Sequence, residues 1–84
     1  MHAVSLRKSV TATLRRLPVH DRDRITRHIK SLGESPRPVG AEKMQGQYDG
    51  FWRIRSGDYR IIYEISDTEL TVLVVRVAQR GDAY

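Results

Sequence analysis

Between Phe51 and Val77 the chain alternates in a way that leaves few folds open to it. Three runs, Phe51 to Arg55, Asp58 to Ile65 and Leu70 to Val77, are rich in Ile, Val and Tyr, as β-strands tend to be. Ser56-Gly57 and Asp67-Thr68 stand between them as turn candidates, because Gly tolerates positive φ while Ser and Asp bond their own backbone. The stretch therefore predicts three strands in two tight hairpins, followed by a short basic and aromatic tail, Gln79 to Tyr84. If Ser56-Gly57 is a two-residue loop, Arg55 stands opposite Asp58 and Arg53 opposite Arg60. Alternation then places Arg53, Arg55 and Arg60 on one face with Glu64, and Trp52, Tyr59, Ile61 and Tyr63 on the other, facing a core. Like charges directly across a strand pair destabilise it. Folding gains nothing from such an arrangement, so an anion outside the fold is its natural user. Two other readings stay open: edge-strand charges that block aggregation, and an ion pair of Arg60 with Glu64 or Asp58.

The third run is apolar on both faces apart from Thr71 and Arg76, which suits a central strand. Upstream the period changes. Val10, Leu14 and Leu17 recur as one helical stripe, with Ser9 as N-cap and Pro18 as the stop. Ile25, Ile29 and Leu32 form the stripe of a second helix from Val19 or His20 to Gly33, with Gly33 as a C-terminal cap. Arg15, Arg16, Arg22, Arg24 and Arg27 lie off both stripes, as a solvated face or a nucleic-acid contact. His2 to Leu6 reads as a short edge strand. Glu34 to Gly50, with Pro36, Pro38, Gly40 and Gly46, reads as loop, and Lys43 to Gly46 as its approach to the sheet edge. The expected order is β-α-α-β-β-β. It describes one α+β domain over residues 1–84, with two N-terminal helices packed on an antiparallel sheet.

Composition excludes several classes of function. Eighty-four residues supply one modest core. Without cysteine there are no disulfides, no thiolate zinc site and no Cys nucleophile. His2, His20 and His28 show no metal-binding spacing, so neither a metal nor a cofactor is expected. No apolar run nears the roughly eighteen residues of a membrane span, and the N-terminus has no secretory h-region, so the cytoplasm is the expected address. The net charge of +5 favours an acidic partner. All of that excess lies in residues 1–50, which carry ten Lys/Arg against five Asp/Glu, whereas residues 51–84 carry five of each. An anion site on the hairpins must therefore come from local clustering of arginines.

Gly50-Phe51-Trp52-Arg53-Ile54-Arg55, Gly57-Asp58-Tyr59-Arg60-Ile61-Ile62-Tyr63 and Arg80-Gly81-Asp82-Ala83-Tyr84 together resemble the RelE/ParE superfamily of toxins, and within it the RelE-type mRNA interferases. Leu14 to Pro18 and Ser35 to Gly46 sit where that family has a helix end and a Pro/Gly connection, so the resemblance spans nearly the whole chain. It implies a fold similar to small microbial ribonucleases and a ribosome-dependent endoribonuclease that cuts mRNA in the A site, beside 16S rRNA, without metal. It further implies Arg53 and Arg55 as the basic pair, Arg60 as the holder of the scissile phosphate, Arg80 as proton donor to the leaving oxygen and Tyr84 as the ring that stacks on a base. The implied partners are a RelB-like acidic antitoxin and, only through that complex, operator DNA. The chain departs from the family pattern in having Arg rather than Lys in the basic pair, and Gln79 where Lys or His is frequent.

Chemically, an RNA 2′-hydroxyl can attack the adjacent phosphate without a metal, and fixed guanidinium groups stabilise the phosphorane that forms. Arginine stays protonated near neutrality, so Arg53 and Arg55 are poor general bases and the proton acceptor is left open. Such a site depends on the ribosome to orient its substrate. The alternatives on the same scaffold are a ParE-like gyrase inhibitor without nuclease chemistry, and a degenerate member that only binds antitoxin.

Overall fold

The computed structural model describes residues 1–79, so the expectations for Arg80 and Tyr84 lie outside the described residues. The chain runs through β1 (Ala3–Leu6), α1 (Lys8–Arg16), α2 (Val19–Ser31), β2 (Glu42–Lys43), a 3-10 turn (Gly46–Tyr48), β3 (Trp52–Ser56), β4 (Tyr59–Ser66) and β5 (Thr71–Gln79). The five strands form one sheet in the order β1-β5-β4-β3-β2. This is the expected α+β architecture with two refinements. The sheet is mixed, because β1 joins β5 in parallel. The α1–α2 hairpin carries the chain out and back before β5 is made, so β1 can lie parallel to it without a tight turn. The second refinement is β2, two residues long, which pairs with β3 at the far edge.

Both helical stripes turn to the sheet. Val10 and Leu14 of α1 and Ile25, Ile29 and Leu32 pack on Ile54, Ile61, Tyr63, Val72, Val74 and Val77, with Leu17 and Trp52 at the margin. A smaller cluster, Met44, Ile62 and Val75 with Tyr48, Phe51 and Leu73, lies apart from the helices. Here the irregular stretch before β3 folds back over part of the other face. β5 is largely buried on both sides, as its run of apolar residues, broken only by Thr71 and Arg76 before Gln79, predicts. Opposite Ile62/Tyr63 the register shifts: Ile62 pairs with Arg76 while Tyr63 pairs with Val74, leaving Val75 as the extra residue of a bulge.

Several local expectations change. The residue capping α1 is Arg7, without a side-chain cap, so Ser9 falls inside the helix, where its carbonyl accepts from Thr13 Oγ1. Gly33 is not left-handed. A Cβ there would lie 2.8 Å from the carbonyl oxygen of His2 and 3.2 Å from Val4, and the Gly33 carbonyl accepts from the His2 amide at 2.7 Å. The glycine is needed so that β1 can lie close against the end of α2. The first hairpin turns at Gly57-Asp58, one residue later than expected, because Gly57 takes the first loop position at φ 61°. The second loop is four residues, Asp67 to Leu70, closed by the Glu69 amide donating to Ser66 Oγ and by Leu70 at φ 56°.

The loop after α2 is tied down through Asp67 and Tyr63. Arg37 and His2 both bond the Asp67 carboxylate, and Arg37 lies over the Trp52 ring. The hydrogen bond from Arg37, then that from His2, hold the Asp67 carboxyl below the usual range. Tyr63 is fully buried and its hydroxyl donates to the Pro36 carbonyl at 2.7 Å. Burial pushes its phenol up to about 12, against a small opposing effect of Arg37.

Two outcomes follow. Gly33→Ala forces His2 away from α2 and lowers stability by about 1–3 kcal/mol, read as a fall in the denaturant midpoint with an unchanged slope. Tyr63 has a folded pKa above its unfolded one, so its contribution is intact below about pH 10 and is lost as pH climbs towards 12. An ultraviolet titration of wild type will show one tyrosine ionising late, and Tyr63→Phe will lose that step.

Candidate active site

The β3–β4 hairpin has two faces of opposite character. Ile54 and Ile61 pair across it and enter the helix-side core, as do Trp52 and Tyr63. On the other face Arg55 pairs directly with Arg60, and Arg53 pairs with Ile62. The later turn therefore changes which arginines oppose each other and leaves all three on the shared face. Arg53 and Arg60 are half-buried and Arg55 is exposed.

These three arginines line a cleft of about 380 Å³ with Gly40, Glu42 and the edge of Ile54. β2 brings Glu42 opposite Arg53, and Arg53 Nη2 lies 3.4 Å from its carboxylate. Sequence reasoning missed Glu42, because a two-residue strand inside a Pro/Gly-rich loop leaves no periodic signal. Its approach to the sheet edge was the only hint. Glu64 and Asp58, the carboxylates weighed as partners of Arg60, are exposed, and the ion pairs observed among the described residues include neither. The cleft thus offers three arginines and a carboxylate that lies against Arg53. Such a set can hold a phosphate diester and spread charge from it.

A second hollow, about 590 Å³, lies between the start of α1 and the 3-10 turn, lined by Arg7, Thr13, Tyr48, Phe51 and Arg76 among others. Tyr48 and Phe51 meet edge to face there, and Arg76 donates to the Tyr48 hydroxyl at 3.4 Å. Among the described residues its lining holds no carboxylate or imidazole, and its two arginines and two aromatic rings suit it to gripping a ligand. Among the described residues no three His, Asp or Glu side chains converge to hold a metal ion. Likewise no helix among them is long and apolar enough to cross a membrane. Arg55 and Arg60 are directly paired across the hairpin, an arrangement that disfavours a strand pair. Arg55→Thr will raise stability by about 0.2–1 kcal/mol at low salt, and the gain will shrink as salt is added, when denaturant midpoints are compared.

Comparison with known proteins agrees with this architecture. Residues 4–84 match the family described as the ParE toxin of the type II toxin–antitoxin system parDE. The chain is 36% identical over 53 residues to the toxin RelG of Mycobacterium tuberculosis, covering 63% of this chain and 60% of that protein. It is 32% identical over 60 residues to the mRNA interferase toxin RelE of Escherichia coli, covering 70% of this chain and 62% of that protein. The matched region thus spans a little over half the length of these relatives. The crystal structure of the archaeal RelE–RelB complex from Pyrococcus horikoshii superposes with a TM-score of 0.84 and 28% identity over 98% of both chains. A matching family over nearly the whole chain, a two-helix mixed-sheet fold and an arginine face on its hairpin make this chain a member of the ParE toxin family, within the RelE/ParE superfamily of type II toxin–antitoxin toxins.

Proposed function

We propose that this toxin is a ribosome-dependent endoribonuclease that cleaves mRNA in the A site. The observation that carries the reading is the opposed Arg55–Arg60 pair, with Arg53 beside it in one cleft. Arginines gathered on one face of a hairpin are suited to a phosphate. The RNA 2′-oxygen attacks the adjacent phosphorus, and the bond from phosphorus to the 5′-oxygen breaks. The products are a 2′,3′-cyclic phosphate, open to later hydrolysis to a 3′-phosphate, and a 5′-hydroxyl. Arg55 and Arg60 hold the non-bridging oxygens and stabilise their added charge. Glu42 accepts the 2′-hydroxyl proton, being the carboxylate among the residues that line the cleft. Arg80 donates to the leaving oxygen and Tyr84 stacks on a base, as the family resemblance implies. No metal takes part in this reaction.

The charge arrangement also supports a partner. Ten of the fifteen Lys/Arg lie in residues 1–50, against five acids, so an acidic antitoxin of the RelB type would cover a basic surface as well as the cleft. The related archaeal toxin was solved as a RelE–RelB complex. Operator DNA would be bound through that antitoxin, and the complex would reside in the cytoplasm.

The deciding experiment incubates the purified toxin with ribosomes carrying an mRNA in the A site and maps the ends by primer extension. Cuts that need the ribosome, fall by more than about a hundredfold in Arg60→Ala and weaken in Glu42→Gln support the reading. A second reading, a ParE-like inhibitor of DNA gyrase, is favoured by the family match. A wild-type protein that arrests growth, leaves mRNA intact and blocks gyrase supercoiling would establish it instead.

A further inference from the structure

The hairpin that carries Arg55 and Arg60 is gripped from behind by a polar cluster that the reaction above does not use. Ser56, the last residue of β3, is 1% exposed and points to the helix side, opposite in direction to Arg55. Arg24 of α2 donates from Nε to Ser56 Oγ at 3.2 Å and from Nη2 to the Ser56 carbonyl at 3.3 Å. The same Nη2 donates to Asp21 Oδ1 at 2.9 Å, so the guanidinium is balanced within its own helix. His28, one turn further along α2, has Nδ1 2.7 Å from Ser56 Oγ. The guanidinium also covers the turn: a Cβ on Gly57 would lie 2.5 Å from Arg24 Nη2.

A serine hydroxyl has one hydrogen to give and two lone pairs with which to accept. Ser56 Oγ accepts from Arg24 Nε–H, and its second hydrogen bond is the one shared with His28 Nδ1. Every polar atom of Ser56 is then satisfied in a buried place, where an unmet group would be costly.

We propose that Arg24 and His28 are positioning residues, which hold Ser56 and through it the register and pitch of the Arg55–Arg60 pair. The proposal rests on the nuclease reading for its functional consequence, while its geometric content stands without it. Like charges on directly paired residues at a hairpin end work against the strand pairing there. A forked donor anchored on a helix opposes that motion without adding net charge to the front face. A phosphate held in line for attack tolerates only small displacements, so loosening the anchor should slow the chemical step more than binding.

The test compares Arg24→Ala, Arg24→Lys, His28→Ala and His28→Asn in single-turnover cleavage on mRNA-programmed ribosomes. Both alanine variants are expected to cut about 10- to 100-fold more slowly, with the half-saturating toxin concentration held within about a factor of two. His28→Asn presents an amide, able to donate or accept, near the place of Nδ1 and should recover most of the rate. Arg24→Lys should not, because an ammonium lacks the fork. In the free toxin, NMR order parameters for the amides of residues 55–60 should fall in Arg24→Ala. The proposal is overturned if His28→Asn is no better than His28→Ala, if the whole loss lies in half-saturation, or if those order parameters are unchanged. Should wild type fail to cut mRNA at all, the nuclease reading falls, and the order parameters alone decide the anchor.

Discussion

Everything functional in this toxin depends on one sheet face being buried by α1 and α2. Ile54, Ile61, Tyr63, Val72, Val74 and Val77 commit the central strands to that side. Strand alternation has period two, so committing one face decides what every intervening residue does. Arg53, Arg55 and Arg60 then stand on the open face through no choice of their own. The helices pay for an arrangement of charges that the hairpin would not keep by itself.

That dependence explains what could be read in the sequence. The arginine face was legible although the turn was misplaced by one residue. Moving a two-residue turn by one position changes the strand pairing by two, and a change of two leaves each side chain on its own face. The identity of the opposed pair was not protected in this way. Arg55 meets Arg60 rather than Asp58 because Gly57 takes the first loop position, where positive φ is needed. The helical stripes were legible for the same reason as the face: Val10, Leu14, Ile25, Ile29 and Leu32 are periodic, and burial enforces the period.

What escaped the sequence is what has no period. Glu42 reaches the cleft through a two-residue strand, and the direction of β1 depends on a pairing partner nearly seventy residues away. Gly33 looks like a helix cap and serves a close approach, a distinction carried only by the position of the His2 carbonyl. Arg24 and His28 look like solvated helix positions until the hairpin is placed against them. In each case the deciding contact is between elements far apart in the chain.

The two faces of the hairpin also separate stability from chemistry. Residues on the helix side can be judged by packing alone, since a lost methyl or an added one is felt there. Residues on the open side carry charge instead: Arg55 is paired with Arg60, and Glu42 lies against Arg53 in the cleft. Ser56 stands where the two regimes meet. It is buried like a core residue, yet it follows Arg55 in the strand, and its partner across the turn, Tyr59, precedes Arg60. A scaffold that serves several toxins can therefore keep its helix-side packing while the charges on the other face change, because alternation isolates one set of residues from the other. The anchor behind Ser56 is the point at which that isolation is incomplete, and through it the helices can influence where the arginines sit.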